Sequence, residues 1–185
     1  SVSSEYYTDK QIGYIRVTKF RNETAAEFET QLAELEKNAV RGLVIDMRNN
    51  SGGDETQVIE MSGMFVPRDT LIVYFMKKDV GRREERTRRE PRLCPYPVII
   101  LVNHKTASSA EIFSGVMKHY KKAYLVGTRT NGQGSLKNTI GLSDGSALLL
   151  VTSRTYLPDE TTFDQKGIKP HLTVEGENAQ LQKAF

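Results

Sequence analysis

The chain has 185 residues, 38% of them hydrophobic and 26% charged, with a net charge of +3 at neutral pH. That length serves one well-buried core better than two, and the composition excludes a disordered chain and a membrane-embedded one. No apolar run approaches the roughly 18 residues of a membrane span.

Ile12 to Phe20 alternates apolar and polar residues, which predicts a strand. Thr24 and Glu27 have capping-box spacing, and Phe28, Leu32 and Leu35 recur at helical spacing through Asn38. Leu43-Val44-Ile45 is a continuous apolar run of the kind found in strands buried on both faces, and it ends in Asn49-Asn50-Ser51-Gly52-Gly53. Asp54 is placed to cap a helix with Val58, Met61 and Phe65 turned inward. Thr70 to Met76 and Pro97 to Asn103 read as strands, and a helix follows from Ser108 to about Tyr120. Ala123 to Gly127 is a short strand. Leu136 to Leu142 and Ser146 to Tyr156 flank an Asp144-Gly145 hairpin signal, and Asn178 to Phe185 is a terminal helix. Buried strands alternating with amphipathic helices predict an α/β domain over residues 1–185 with a mainly parallel sheet and an antiparallel C-terminal hairpin.

Charge is uneven along the chain. Lys77 to Arg92 holds eight basic and four acidic residues, leaving 18 basic and 19 acidic elsewhere. No aromatic side chain lies among these arginines to stack on bases, so the segment reads as a solvated, inserted basic loop or hairpin and not as a nucleic-acid surface. Cys94 is the single cysteine, which excludes an internal disulfide and, with no histidine nearby, reads as a packed side chain. His104, His119 and His171 lack metal-ligand spacing, so no metal or other cofactor is expected. The chain opens on polar Ser1-Val2-Ser3-Ser4 without a leader pattern and reads as part of a longer precursor.

Ser108 follows the apolar segment Val98 to Val102 and opens a helix. A helix N-terminus leaves backbone N–H groups unpartnered, so a hydroxyl there stands beside donors for an oxyanion. The same Ser108-x-x-Glu111 spacing is also a capping box, in which the serine is structural.

Gly13 to Val17, Gly42 to Gly53, Pro97 to Gly115, and Leu142 to Leu148 followed by Lys166-Gly167-Ile168-Lys169-Pro170 stand in a specific order and spacing. Together these four stretches resemble the protease core of the carboxyl-terminal processing, or tail-specific, serine peptidases. The resemblance implies a crotonase/ClpP-like ββα core and a serine endopeptidase cutting near polypeptide C-termini. It further implies Ser108 as nucleophile, Ser109 and Gly52 as oxyanion donors with Gly53 the alternate to Gly52, and an extracytoplasmic, periplasmic location. Unfolded or C-terminal polypeptides are the implied partners. The family's usual PDZ module has no counterpart in the twelve residues before Gly13.

One position departs from the family. Thr130-Asn131-Gly132-Gln133-Gly134 puts Gln133 where the family's lysine base stands, and an amide cannot accept the serine proton. Lys137 occupies the place where some members have a glutamine, so the two are exchanged and Lys137 becomes the candidate base. Two alternatives stay open: a peptidase-like protein that holds peptides without cutting them, and an acyl-CoA enzyme on the related crotonase fold, against which the Ser108 segment argues.

Overall fold

The computed structural model describes residues 1–78, 80–92 and 94–185. Asp79 in the basic segment and Leu93 before Cys94 lie outside the described residues.

Six strands form the main sheet: β1 (Val2–Tyr7), β2 (Ile12–Val17), β3 (Gly42–Asp46), β6 (Val98–Val102), β7 (Tyr124–Gly127) and β10 (Leu172–Thr173), in that spatial order. All neighbours are parallel except β1, which runs antiparallel to β2. Three helices, α1 (Thr24–Leu35), α2 (Glu55–Ser62) and α3 (Ser109–His119), contribute to the larger core with Ile15, Ile45 and Ile100. Phe28, Phe65 and Phe113 stack edge to face there. Fully burying each such ring contributes about 1.5–3 kcal/mol. Val44, Leu101 and Val126 form a second, smaller core with Ala184, Leu181 and Phe185 on or beside α4 (Glu177–Ala184). Two-sided burial is why β3 and β6 read as unbroken apolar runs.

A second sheet is antiparallel, in the order β5 (Gly81–Arg86), β4 (Leu71–Lys77), β9 (Ala147–Tyr156), β8 (Ser135–Gly141). The expected mainly parallel α/β fold with an antiparallel C-terminal hairpin is therefore found.

Of its two readings, loop or hairpin, the basic segment takes the hairpin over residues 81–86, where β5 pairs with β4 along its length. Arg82 lies over the Tyr74 ring at 3.8 Å and Arg83 over Phe75 at 4.5 Å, so guanidinium–aromatic stacking and ion pairs to Glu84, Glu85 and Glu55 replace the apolar pattern of a strand. Beyond it, Arg89 and Arg92 clamp Glu29 of α1 and Glu36 at its C-terminal cap. The polar N-terminus forms β1, whose Val2 pairs with Val17. The Thr24–Glu27 capping box is not made: Thr24 Oγ1 accepts the Arg21 N–H at 2.9 Å, and Glu27 Oε2 accepts the Ser1 hydroxyl at 2.6 Å. Asp54 does cap α2, accepting Thr56 N–H at 2.7 Å.

Candidate active site

Three loops meet beyond the carboxyl ends of β3, β6 and β7, where open parallel sheets place their sites. The first turns through Asn50, Gly52 and Gly53. Asn50 is fully buried; its Nδ2 donates to Val17 O at 2.9 Å and its Oδ1 accepts the Gly52 N–H at 2.8 Å. Gly52 has φ +90, and a Cβ there would stand 2.7 Å from Ser108 Cβ and 2.9 Å from Ser109 N. Gly53 has φ +136, and a Cβ there would meet Phe20 O at 1.9 Å. Only glycine permits either approach.

The second loop is stitched to the first. Ala107 N–H donates to Asn50 O at 2.9 Å, Thr106 Oγ1 donates to Met47 O at 2.9 Å, and Asn103 Oδ1 accepts the Asn49 N–H at 3.0 Å. These bonds fix the chain just before Ser108, which adopts φ 54 and ψ −121. That region is costly for a residue with a Cβ, about 1–3 kcal/mol, and such strain gathers at functional sites. Ser108 is half-buried between buried Ala107 and Ser109.

Ser108 and Glu111 have the capping-box arrangement, but the hydrogen bond that closes is the carboxylate's. Glu111 Oε2 accepts the Ser108 N–H at 3.0 Å. The Glu111 N–H donates to the Ser108 carbonyl oxygen at 2.8 Å.

Glu111 is also what brings in the third loop. Fully buried, it accepts Thr130 Oγ1–H at 2.5 Å and Gly132 N–H at 2.7 Å on Oε1, and Gln133 N–H at 2.9 Å on Oε2. Ser108 N and Gln133 N therefore lie no more than the sum of their distances to Oε2 apart, about 6 Å. Burial pushes the Glu111 carboxyl above the ordinary glutamate range, with the four donors drawing it partly back. Sequence reasoning treated Glu111 as a helix-start residue and missed this junction. Its spacing from Ser108 was visible, but the arrival of the 130–133 loop was not.

The remaining candidates are distributed as follows. Ser109 Oγ donates to Gly53 O at 2.8 Å, holding the helix start against the glycine turn. The Ser109 N–H belongs to the first turn of α3, where amides have no intrahelical acceptor. Gly52's N–H is taken by Asn50, whereas among the described residues nothing accepts from the Gly53 N–H. Gln133 is exposed and lies beside Ser108 through its backbone. Lys137 is exposed on β8 opposite Val151, just past a bulge between Leu136 and Lys137.

Behind the glycine turn is a buried ion pair. Asp46 Oδ2 accepts Arg48 Nη2–H at 2.6 Å and the Tyr14 hydroxyl at 2.6 Å, while Oδ1 accepts Arg48 Nε–H at 2.9 Å. Burial, reinforced by the Asp46 carboxylate, pushes the Tyr14 phenol well up. Arg48 Nη1 donates to Glu177 O at 2.7 Å, tying α4 to this turn. Among the described residues no group of three His, Cys, Asp or Glu side chains is placed to hold a metal ion, and no helix is long and apolar enough to cross a membrane.

Residues 11–174 match the profile of peptidase family S41, and the chain belongs to that family. The probable CtpA-like serine protease of Staphylococcus aureus strain COL is 31% identical over 174 residues, covering 94% of this chain and 35% of that protein. Its counterpart in Staphylococcus epidermidis strain ATCC 12228 is 30% identical over 173 residues, with 93% and 35% covered. The chain thus spans about a third of the length of these relatives. Among solved structures, the photosystem II D1 C-terminal processing protease superposes with a TM-score of 0.82 at 27% identity, covering 96% of this chain and 48% of that one. Mature CPAF complexed with lactacystin shares the fold, with a TM-score of 0.75 at 16% identity over 99% of this chain and 52% of that one.

Proposed function

We propose that this S41 family member is a serine endopeptidase core, one domain over residues 1–185, that cuts polypeptides near their C-termini by acyl transfer. The observation that carries the reading is Ser108 itself, held at φ 54 on a strand-to-helix junction against a glycine turn. In the first step Ser108 Oγ adds to the scissile carbonyl carbon while a base takes the hydroxyl proton. The carbonyl oxygen becomes an oxyanion, received by the Ser109 N–H and an N–H of the glycine turn. With the Gly52 N–H occupied by Asn50, Gly53 is the better donor. Collapse breaks the C–N bond, the proton passes to the leaving amine, and water then releases the acyl group from Ser108 by the reverse sequence.

Lys137 is the base in this proposal, because Gln133 has no proton-accepting nitrogen. Two residues four apart on a straight strand are about 13 Å from each other. The bulge after Leu136 and the glycines flanking Gln133 support a shorter path. The location we propose is extracytoplasmic, on the family likeness. A second reading, a peptide-holding protein with a dormant site, is favoured by one observation: Gln133's backbone, and not Lys137's, shares the Glu111 carboxylate with Ser108.

Casein degradation by four proteins separates these readings. Peptidase action predicts turnover by the wild type, none by Ser108→Ala or Lys137→Ala, and little gain from Gln133→Lys. A dormant site predicts an inactive wild type that Gln133→Lys awakens, and turnover unaffected by Lys137→Ala excludes the exchanged base.

A further inference from the structure

Seven of the eleven large apolar side chains exposed among the described residues lie on the β8–β9 hairpin. Antiparallel pairing sets Ile140 opposite Leu148 on one face and Lys137 opposite Val151 on the other. By alternation Leu142 and Leu150 join the Ile140 face, while Leu149 joins the Val151 face. These six side chains are between 41% and 59% exposed. An apolar patch on one side of a sheet is covered by packing one surface against it. A hairpin apolar on both sides calls for something that reaches both.

The open edge supplies the second observation. β8 is the last strand of its sheet and seven residues long. Leu142 donates across the hairpin to Ser146 O at 2.8 Å, so the alternation of antiparallel bonding turns the N–H and C=O groups of Lys137, Thr139 and Gly141 toward the free side. A strand laid along that edge would satisfy those groups and send its own side chains alternately to the two apolar faces. The hairpin carries one lysine and one aspartate between Ser135 and Val151, so charge gives little selectivity. The edge also starts at the site: β8 begins two residues after Gln133, whose N–H shares the Glu111 carboxylate with Ser108.

The geometry points to the β8 edge as a docking strand for extended, apolar segments of the polypeptide that Ser108 attacks. This rests on the peptidase reading for the identity of the polypeptide, and on the hairpin alone for the binding.

The test measures binding in the Ser108→Ala protein, which keeps its ligand intact. The probe is a short fluorescein-labelled peptide with a valine and leucine core flanked by lysines, followed by fluorescence anisotropy. The double substitution Ile140→Ser with Leu149→Ser, one on each face and both exposed, is expected to weaken binding at least about tenfold with an unchanged circular dichroism spectrum. Methylating the backbone nitrogens of the peptide at alternate residues should abolish binding in one phase of the alternation and spare it in the other. Equal affinity for both proteins, or methylation effects without that alternation, overturns the proposal. So does a concentration-dependent dimer that the double variant dissociates and saturating peptide does not, since the hairpin's occupant is then a second copy. Peptide binding alongside a wild type that leaves casein uncut would refute the peptidase reading and leave the docking strand standing.

Discussion

Replacing Glu111 with glutamine removes one charge and few atoms, yet it strikes the point where three loops are joined. The carboxylate accepts two donors on each oxygen, Thr130 and Gly132 on one, Ser108 and Gln133 on the other. Whichever way the amide is turned, its NH2 group faces two of those donors. Thr130 Oγ1 accepts the Ile168 N–H at 2.6 Å and gives its own proton to Glu111. Two charge-assisted bonds are lost at about 1.5–3 kcal/mol each, and relief of the buried charge returns part of that, for a net loss of about 2 kcal/mol. For a chain of this size the midpoint of thermal unfolding falls by roughly 4–8 °C. Burial holds the Glu111 carboxyl above its unfolded value. The native state therefore binds that proton more tightly, and the resulting stability is present at acidic pH and lost as pH rises through the native value. The melting gap between wild type and E111Q should be wider at about pH 4 than at about pH 7. Calorimetric scans at the two pH values decide the matter; a gap below about 1 °C at both, or one that widens toward neutrality, refutes the reasoning.

Gly52→Ala forces a methyl group to within 2.7 Å of Ser108 Cβ at φ +90, and casein turnover should fall by about a hundredfold or more as the serine is displaced; turnover within a few-fold of wild type would show that the turn yields. Arg48→Met leaves Asp46 buried without its cation, a loss of about 3–5 kcal/mol in urea unfolding, and a loss under about 1 kcal/mol would mean that Tyr14 alone sustains the carboxylate.

Much of the fold was legible because the parallel strands carry their burial in their composition. Leu43 to Ile45 and Val98 to Val102 could hardly be anything but interior strands. The strands that escaped notice are held by other means: β1 by an edge ladder of serine-rich sequence, β5 by arginines stacked on Tyr74 and Phe75. The two-residue β10 is too short to leave a pattern. At the site, Ser108 and the glycine turn could be read from local spacing. The three bonds that Glu111 accepts from Thr130, Gly132 and Gln133 could not, because they depend on which donors arrive from a loop about twenty residues away.

The backbone at position 108 prefers an occupant the chemistry cannot use. Its angles, 54° and −121°, mirror those of ordinary extended chain, which glycine enters without steric penalty. A library screened for heat resistance alone should therefore enrich glycine at this codon, and a library screened for digestion of casein should discard it. On the peptidase reading, one residue would be driven in opposite directions by the two selections.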